Sequence, residues 1–149
     1  MKYSESSLKR TFVVRLEHND PFPEAIEVFV REKNVKRAIV FFLGGVNSGS
    51  DIVVGPETTE GIPAVPMHEI LSGAHETLGV GTVFPDKDGN PVLHAHASFG
   101  RKKETLTGCT RPGIKTWHVL EVIIIELSGE CGTRLTEEPH GFELLNPGK

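Results

Sequence analysis

The sequence predicts an α+β fold, with a mostly antiparallel sheet and one clear N-terminal helix, in a single domain. Three features predict it: one amphipathic helical pattern, several β-branched segments joined by hairpin signals, and 149 residues without a linker-like stretch. Apolar residues form 38% of the chain and charged residues 24%, which is a globular composition. We therefore treat residues 1–149 as one domain with its own hydrophobic core.

The helix is predicted from the segment that follows a short β-branched strand at residues 11–16. Asp20 is suited to cap the helix, Pro21 to occupy its first position, and Asn34 to end it. The apolar side chains between them recur at i, i+3, i+4 and i+7, the spacing of a buried helical stripe. These residues are Phe22, Ala25, Ile26 and Phe29.

Further strands are predicted from short runs rich in β-branched and aromatic residues. Asp88-Gly89 is a strong hairpin signal, and the proline-rich residues 55–66 are typical of a surface loop. The glycine-rich residues 43–49 lack both GxGxxG spacing and the Lys-Ser/Thr of a phosphate-binding loop, so we interpret them as a turn or bulge. The predicted strands span residues 36–43, 51–54, 79–84, 92–99, 105–110 and 117–127, with a short final strand or docked end at 142–145.

Charge and apolar patterning exclude several classes of protein. The net charge of −4 has the wrong sign for a chain whose whole surface binds nucleic acid, because phosphate affinity comes mainly from Lys and Arg. The longest apolar run, residues 119–125, is interrupted by Glu121 and is too short to span a bilayer. The first residues lack the apolar region of a signal peptide, and two cysteines do not make a disulfide framework. We therefore expect a cytoplasmic protein with no membrane partner.

The most chemically distinctive segment is His94-Ala95-His96. Side chains in a strand alternate between faces, so both histidines point the same way, about 7 Å apart along the strand. Two imidazoles at this spacing can bind one metal ion, or they can hydrogen-bond at a polar surface or subunit interface. Ala95 and Ala97 point to the opposite face and permit close packing there. The spacing alone leaves both alternatives open.

A zinc site needs a third or a fourth ligand, and Cys109 is the leading candidate. If residues 92–98 pair with residues 105–110 as a hairpin, Cys109 comes near His94. A thiolate is a good zinc ligand. A lone cysteine is also commonly a small buried hydrophobe, so this alternative stays open.

Other candidate ligands are less constrained by spacing. His75 stands beside Glu76 near a glycine-rich stretch and can supply a ligand, although a solvated loop explains it equally well. His118 is expected to share the apolar face of its strand, where a lone histidine is more often a hydrogen-bonded core residue than a ligand. Glu121 interrupts the same strand and needs a partner, or orients a metal-bound histidine. The remaining candidates are His68 and Glu69.

In their order along the chain, these segments resemble the plants-and-prokaryotes-conserved (PPC) domain. A strand with Pro-x-x-His-x-His, a charged turn, a Gly-containing strand and an apolar strand with one Glu are typical of it. Here they are residues 91–98, 101–104, 107–109 and 119–123. The opening strand, the helix and the strand that ends in Leu43-Gly44-Gly45 also match, and the resemblance is strongest over residues 10–128.

The resemblance to a stand-alone prokaryotic PPC protein implies an antiparallel sheet and a homotrimer. In plants the domain follows AT-hook motifs of nuclear DNA-binding proteins, and prokaryotic members are labelled predicted DNA-binding proteins on that basis. This chain has no AT-hook, because Arg111-Pro112-Gly113 is not the Gly-Arg-Pro core. Many members have a histidine at the position of Cys109, which would complete a cluster with His94 and His96. The segment around His75 looks longer than in typical members and can bring His75 to that cluster.

Three functional hypotheses follow. The first is a trimeric PPC-type protein of regulatory or assembly role that binds a divalent metal, zinc above others. Its ligands are His94, His96 and Cys109, with His75 or His118 as an extra ligand. The second is a metal-dependent enzyme of unknown reaction, in which the metal activates a water and Glu76 or Glu121 is the base. The third is a DNA-binding protein that uses a basic patch of Arg101, Lys102 and Lys103.

Overall fold

The structure, a computed structural model, describes residues 1–60, 62–139 and 141–148. It contains a nine-stranded sheet, a separate two-stranded sheet and the helix α1 (Glu24–Glu32). The strands are β1 (Leu8–Leu16), β2 (Pro21–Phe22), β3 (Ala38–Val46), β4 (Asp51–Pro56), β5 (Pro66–Ile70), β6 (His75–Pro85), β7 (Pro91–Arg101), β8 (Glu104–Thr110), β9 (Ile114–Leu127), β10 (Thr133–Glu137) and β11 (Phe142–Asn146).

Every strand pairing in the described part of the chain is antiparallel, which confirms the predicted fold class. The strand order in the main sheet is β1-β9-β3-β6-β7-β8-β4-β5, and β2 pairs with β9. This order places β7 and β8, which carry the HxH motif and Cys109, side by side in the interior of the sheet. Among the described residues, no helix has the length and apolar character needed to cross a membrane.

The helix begins later than the sequence predicts. Pro21 pairs with β9 as part of β2, so the expectation that Asp20 caps the helix and Pro21 is its first residue is wrong. The Asp20 carboxylate instead accepts a hydrogen bond from the Glu17 N–H, and Pro23 occupies the N-cap position without a side-chain cap. The predicted end is confirmed, because Asn34 adopts a left-handed φ of 53° just beyond the helix.

One face of the sheet is covered by α1 and forms the core. Ile26 and Val30 of the helix are fully buried, and the helix packs against β7. Ala95 and Ala97 of β7 are also buried, and their small side chains allow the helix to lie close to the strand. The two histidines of the HxH motif therefore point to the opposite, outer face, as the strand alternation predicts.

The pair Gly44-Gly45 lies within β3 rather than at its end. The register between β3 and β9 shifts there, since Gly44 lies opposite Leu120 and Gly45 opposite Trp117. The extra residues lie in β9, and the turn predicted within residues 43–49 is confined to Ser48 and Gly49, after the end of β3. His118 takes a positive φ of 58° and is exposed, so the expectation that it shares the buried face of Leu120 is wrong. The physical reason is that extra residues in a strand interrupt the alternation of its side chains.

The strands predicted from the sequence are all present, most with longer bounds, whereas β2 and β5 lie outside the predicted strand spans. β6 and β7 are joined by a turn that contains Asp88-Gly89, the expected hairpin signal. Residues 57–65 connect β4 to β5, so the ends of the expected surface loop are strand, and Gly61 lies outside the described residues. The tail forms the hairpin of β10 and β11, of which the sequence predicts only the second strand.

The close approach of β3 and β6 leads to a stability prediction. Gly79 lies opposite Phe42, and a Cβ atom at Gly79 would overlap the buried Phe42 ring. We expect Gly79→Ala to lower the free energy of unfolding by about 1–3 kcal/mol, the usual cost of overpacking a core. Urea denaturation at fixed protein concentration measures the change.

Gly100→Ala is the matched control for this prediction. A Cβ atom at Gly100 would come no closer to its surroundings than 3.7 Å, at the Thr105 hydroxyl. We therefore expect this variant to change the free energy of unfolding by less than about 0.5 kcal/mol. Equal destabilisation by the two variants would contradict the packing argument.

Candidate metal centre

β7 and β8 pair so that His96 lies directly opposite Cys109. His94 lies two residues earlier on the same face of β7. The donor atoms of these three residues, here called the His/Cys cluster, all lie within 4.8 Å of one another. Both imidazoles are exposed, whereas the thiol is buried. The structure thus brings together His94, His96 and Cys109, the three residues that the sequence suggests as the principal ligands.

The two imidazoles lie at a separation that suits a shared ligand. Their Nε2 atoms are 3.2 Å apart and their rings are close to perpendicular, with an interplanar angle of 83°. In a tetrahedral zinc site with Zn–N bonds of about 2.0–2.1 Å, two nitrogen ligands lie about 3.3–3.4 Å apart. The same separation suits a hydrogen bond between one protonated and one unprotonated ring nitrogen. The geometry therefore fits either a metal ion or a proton between the rings.

The local sequence explains how Cys109 reaches this position. Gly108 precedes it, and a Cβ atom at Gly108 would overlap the backbone carbonyl of Val53 on β4. The missing side chain lets β4 approach β8 closely enough for Val53 to pair with Cys109. Cys109 is consequently held between Val53 on one side and His96 on the other.

Burial and nearby positive charges set the protonation state of the cluster. Although the side chain of His94 reaches the surface, its partial desolvation lowers the pKa of the imidazole to about 4, and the charges of Arg134, His96 and Arg111 act in the same direction. Burial raises the pKa of the Cys109 thiol, an effect that Arg111 and Arg134 partly oppose. Near neutral pH, His94 is therefore a neutral imidazole with a free lone pair. Cys109 is a thiol that must lose its proton before it binds a metal.

Arg134 is the residue near this cluster that the sequence analysis missed. It lies on β10, and its Nη2 donates hydrogen bonds to the carbonyl and hydroxyl oxygens of Thr82. Thr82 on β6 is the direct cross-strand partner of His94, so the tail hairpin places a guanidinium beside the cluster. No spacing or motif in the tail indicates this contact, because it depends on how the hairpin folds back over the sheet.

The structure places His75 and His118 elsewhere. His75 begins β6, five residues before Val80, which lies opposite His96. At about 3.3 Å per residue this is a distance of about 17 Å along the sheet. His118 lies at the irregularity of β9, where its backbone N–H donates to Nδ1 of His18. Within one chain, neither histidine joins the His/Cys cluster.

The two candidate bases also lie away from the cluster. Glu121 is exposed on β9 rather than buried, and three strand spacings of about 4.8 Å, or about 14 Å, separate β9 from β7. Glu76 stands next to His75 at the far end of β6. His68 bonds the carboxylate of Asp51 instead of a metal partner. In the described part of the chain, no carboxylate belongs to the His/Cys cluster.

The basic segment lies at the turn between β7 and β8. Arg101, Lys102 and Lys103 line a concavity of about 940 Å³ together with His75. Nη1 of Arg101 donates a hydrogen bond to the Ala74 carbonyl, whereas the two lysines are exposed and extend into solvent. Glu104 also lines this concavity, and none of its lining residues belongs to the His/Cys cluster.

The outer face of the sheet, which carries the cluster, also exposes a patch of apolar side chains. Phe41, Leu43, Leu78 and Val80 are 47%, 52%, 68% and 49% exposed. They are neighbours on β3 and β6, and a groove of about 400 Å³ lies between these strands and His96. The cluster therefore borders an apolar surface, which we call the apolar patch.

Proteins of known structure share this fold. A metal-containing protein from Archaeoglobus fulgidus is 26% identical with a TM-score of 0.84, and the match covers 98% of this chain and 99% of that one. A plant- and prokaryote-conserved (PPC) protein from Pyrococcus horikoshii is 25% identical with a TM-score of 0.83, over 100% and 99% of the two chains. A candidate DNA-binding protein from Bacteroides thetaiotaomicron is 14% identical with a TM-score of 0.75, over 95% and 97%, and shows the fold alone. No curated protein sequence matches this chain.

The family model of the Plants and Prokaryotes Conserved (PCC) domain matches residues 3–128. These residues contain α1, all strands of the main sheet and the three members of the His/Cys cluster. The hairpin of β10 and β11, with Arg134, lies beyond them. Because the match spans most of the chain, this protein belongs to the plants-and-prokaryotes-conserved domain family.

Proposed function

We propose that this protein is a metal-binding PPC domain that holds a divalent ion, zinc above others, at His94, His96 and Cys109 and assembles as a homotrimer. The observation that carries the proposal is the convergence of three donor atoms within 4.8 Å on the outer face of β7 and β8. The relative from A. fulgidus, described as a metal-containing protein, supports it.

The chemistry of the donor set fits zinc. Two imidazole nitrogens and a thiolate suit Zn²⁺, whereas Mg²⁺ and Ca²⁺ prefer oxygen ligands. His94 already offers a neutral ring, and Cys109 would release its proton on binding. Three protein ligands leave one coordination position for a water or an added ligand, where bound zinc would act as a Lewis acid.

We assign the metal a regulatory or structural role rather than a catalytic one. A side chain that acts as the general base for a metal-bound water must lie within hydrogen-bond reach of that water. Glu76 and Glu121, the bases that the sequence suggests, lie away from the cluster within one chain, and no other described carboxylate belongs to it. A catalytic role would therefore rely on the metal alone to acidify its water, or on a base from another subunit.

Metal content tests the proposed ligands. Purified protein that is loaded with Zn²⁺ and dialysed should retain one ion per chain by mass spectrometry of the metal. His94→Ala/His96→Ala removes two of three ligands and should weaken zinc affinity by more than about 100-fold, since even indirect ligand partners contribute 10–100-fold. A competition titration with a chromophoric chelator measures the affinity.

His18→Ala/His118→Ala is the matched control, because it removes a second close pair of histidines. Their ring centroids are 5.8 Å apart, and no third metal-ligating residue joins them in the described chain. This variant should bind zinc as the wild type does. Equal loss of zinc in both double variants, or no zinc in the wild type, would reject the proposed site.

The homotrimer is proposed from the family resemblance together with the apolar patch. Four exposed apolar side chains on two neighbouring strands form a surface that a monomer would leave in water. Burying such a surface between subunits is favourable by about 25 cal/mol per Å² of apolar area. Because Val80 lies opposite His96, assembly through this patch would bring the His/Cys cluster to the edge of an interface.

Leu78→Glu tests this assembly. By light scattering after size exclusion, the wild type should have three times the monomer mass, and Leu78→Glu should dissociate because an unpaired carboxylate is costly to bury. Val28→Glu, on the outer side of α1 where Val28 is 48% exposed, is the control and should remain trimeric. A monomeric wild type, or an intact Leu78→Glu trimer, would count against the proposal.

A second candidate function is DNA binding through the basic segment. The observation in its favour is the concavity lined by Arg101, Lys102 and Lys103, since Lys and Arg supply most of the affinity for phosphates. The net charge of −4 opposes binding over the rest of the surface, so any DNA contact would be confined to this segment.

Lys102→Glu/Lys103→Glu tests DNA binding in a gel-shift titration with a short duplex over a salt series. The wild type should bind at low salt and lose affinity steeply as salt rises, whereas the variant should not bind. Lys9→Glu/Lys36→Glu makes the same change of charge at two exposed lysines elsewhere and should keep binding. If the wild type fails to bind at the lowest salt concentration, this second function is excluded.

A further inference from the structure

We propose that the His/Cys cluster binds a small oxyanion beside its metal. A carboxylate or phosphate oxygen of this anion would contact the metal, and the guanidinium groups of Arg134 and Arg111 would pair with its negative charge. This inference deepens the proposed metal site and rests on it. It adds a class of ligand to the site and gives the hairpin of β10 and β11 a role in binding.

The first argument is the incomplete pairing of Arg134. Its side chain is charged, yet the residue is only 4% exposed. Nη2 donates to the Thr82 carbonyl at 3.2 Å and to the Thr82 hydroxyl at 3.0 Å, and the guanidinium lies 6.0 Å from the centre of the Phe84 ring. Nε is buried without a hydrogen-bond partner, and Nη1 donates to no described residue.

The second argument is the absence of a close counter-charge. A buried guanidinium is normally paired with a carboxylate, because an unpaired charge in the interior is costly. None of the ion pairs in the described part of the chain includes Arg134. Burial lowers the pKa of Arg134, an effect that Glu143 on β11, from beyond ion-pair distance, and Cys109 partly oppose. An exogenous anion would supply the missing partner.

The third argument is position. Thr82 and His94 are direct cross-strand partners, so their Cβ atoms lie about 5 Å apart on the same face of the sheet. The two hydrogen bonds from Arg134 to Thr82 therefore hold its charge beside His94. Arg111 follows Cys109 by two residues, just beyond the end of β8, and is exposed. Two guanidinium groups thus flank the cluster.

The fourth argument is charge balance at a loaded site. A zinc ion with two neutral imidazoles and one thiolate keeps one net positive charge, to which the two arginines add theirs. Three protein ligands also leave one coordination position open. Arginine binds carboxylate and phosphate oxygens through paired N–H donors. An anion with two or more oxygens can therefore fill the open coordination position and pair with the arginines at the same time. The alternative is that Arg134 only attaches the hairpin of β10 and β11 to β6. In that case, anion binding would not depend on Arg134.

The test uses the full chain loaded with Co²⁺, whose visible absorption changes when its ligands change. The protein is titrated with inorganic phosphate and, separately, with acetate, at constant ionic strength. We expect a saturable spectral change with at least one of the two anions, and the stronger response identifies the class of ligand. In protein kept saturated with Co²⁺, Arg134→Met and Arg111→Met should each weaken anion binding by about ten-fold or more.

Lys103→Met is the matched control, because it removes an exposed cation at the other end of the β7–β8 hairpin and should leave anion affinity unchanged. If Arg134→Met does not fold, Arg111→Met decides, since Arg111 is exposed. A wild type that binds no Co²⁺ overturns the proposed metal site and this inference with it. A protein that binds Co²⁺ but responds to neither anion, or whose arginine variants bind anions like the wild type, overturns the inference alone.

Discussion

The site depends on the register between β7 and β8, which sets His96 opposite Cys109. A shift of this register by one residue would turn the Cys109 thiol to the helix-covered face and separate it from the two histidines. Two contacts oppose such a shift. Gly108 allows β4 to pair with β8 at Cys109, and the Thr110 hydroxyl donates to the Ala95 carbonyl at 3.2 Å. The register is therefore held from both strands that border β8.

The two faces of β7 have different roles: the inner face packs in the core, and the outer face carries the candidate ligands. Alanines on the inner face let α1 pack closely, while the histidines between them are free to point outward. Because the core does not use the outer face, donor atoms, the apolar patch and the tail hairpin can all meet there without loss of core packing. The same alternation that builds the sheet thus separates the site from the core.

Much of this arrangement follows from short-range sequence rules. The common face of His94 and His96 follows from the period of a strand, and the approach of Cys109 follows from a hairpin with a charged turn. Both can be predicted because few residues separate the partners. The start of the helix could not be predicted in this way, because Pro21 pairs with β9, which lies far along the chain.

Two other positions also depend on features beyond the local sequence. His118 is displaced by a strand irregularity that its own sequence does not reveal, and within one chain the length of β6 places His75 away from the cluster. Glu121 was expected to need a partner, yet the buried acid of β9 is Glu126, which pairs with Arg10. Which face of β9 each acid occupies depends on that irregularity and on pairing with β1 and β3.

The positive charges around the cluster favour a cysteine over a third histidine at position 109. Arg134 and Arg111 help to keep His94 neutral, which favours metal binding, but their charges also repel a divalent cation at close range. A third imidazole would add no negative charge to offset that repulsion, whereas a thiolate adds one full charge at the metal itself. Cys109 and the two arginines are therefore electrostatically linked. In the proposed site, the thiolate would let a metal bind beside two guanidinium groups, and those groups would leave the metal-loaded site positive enough to attract an anion.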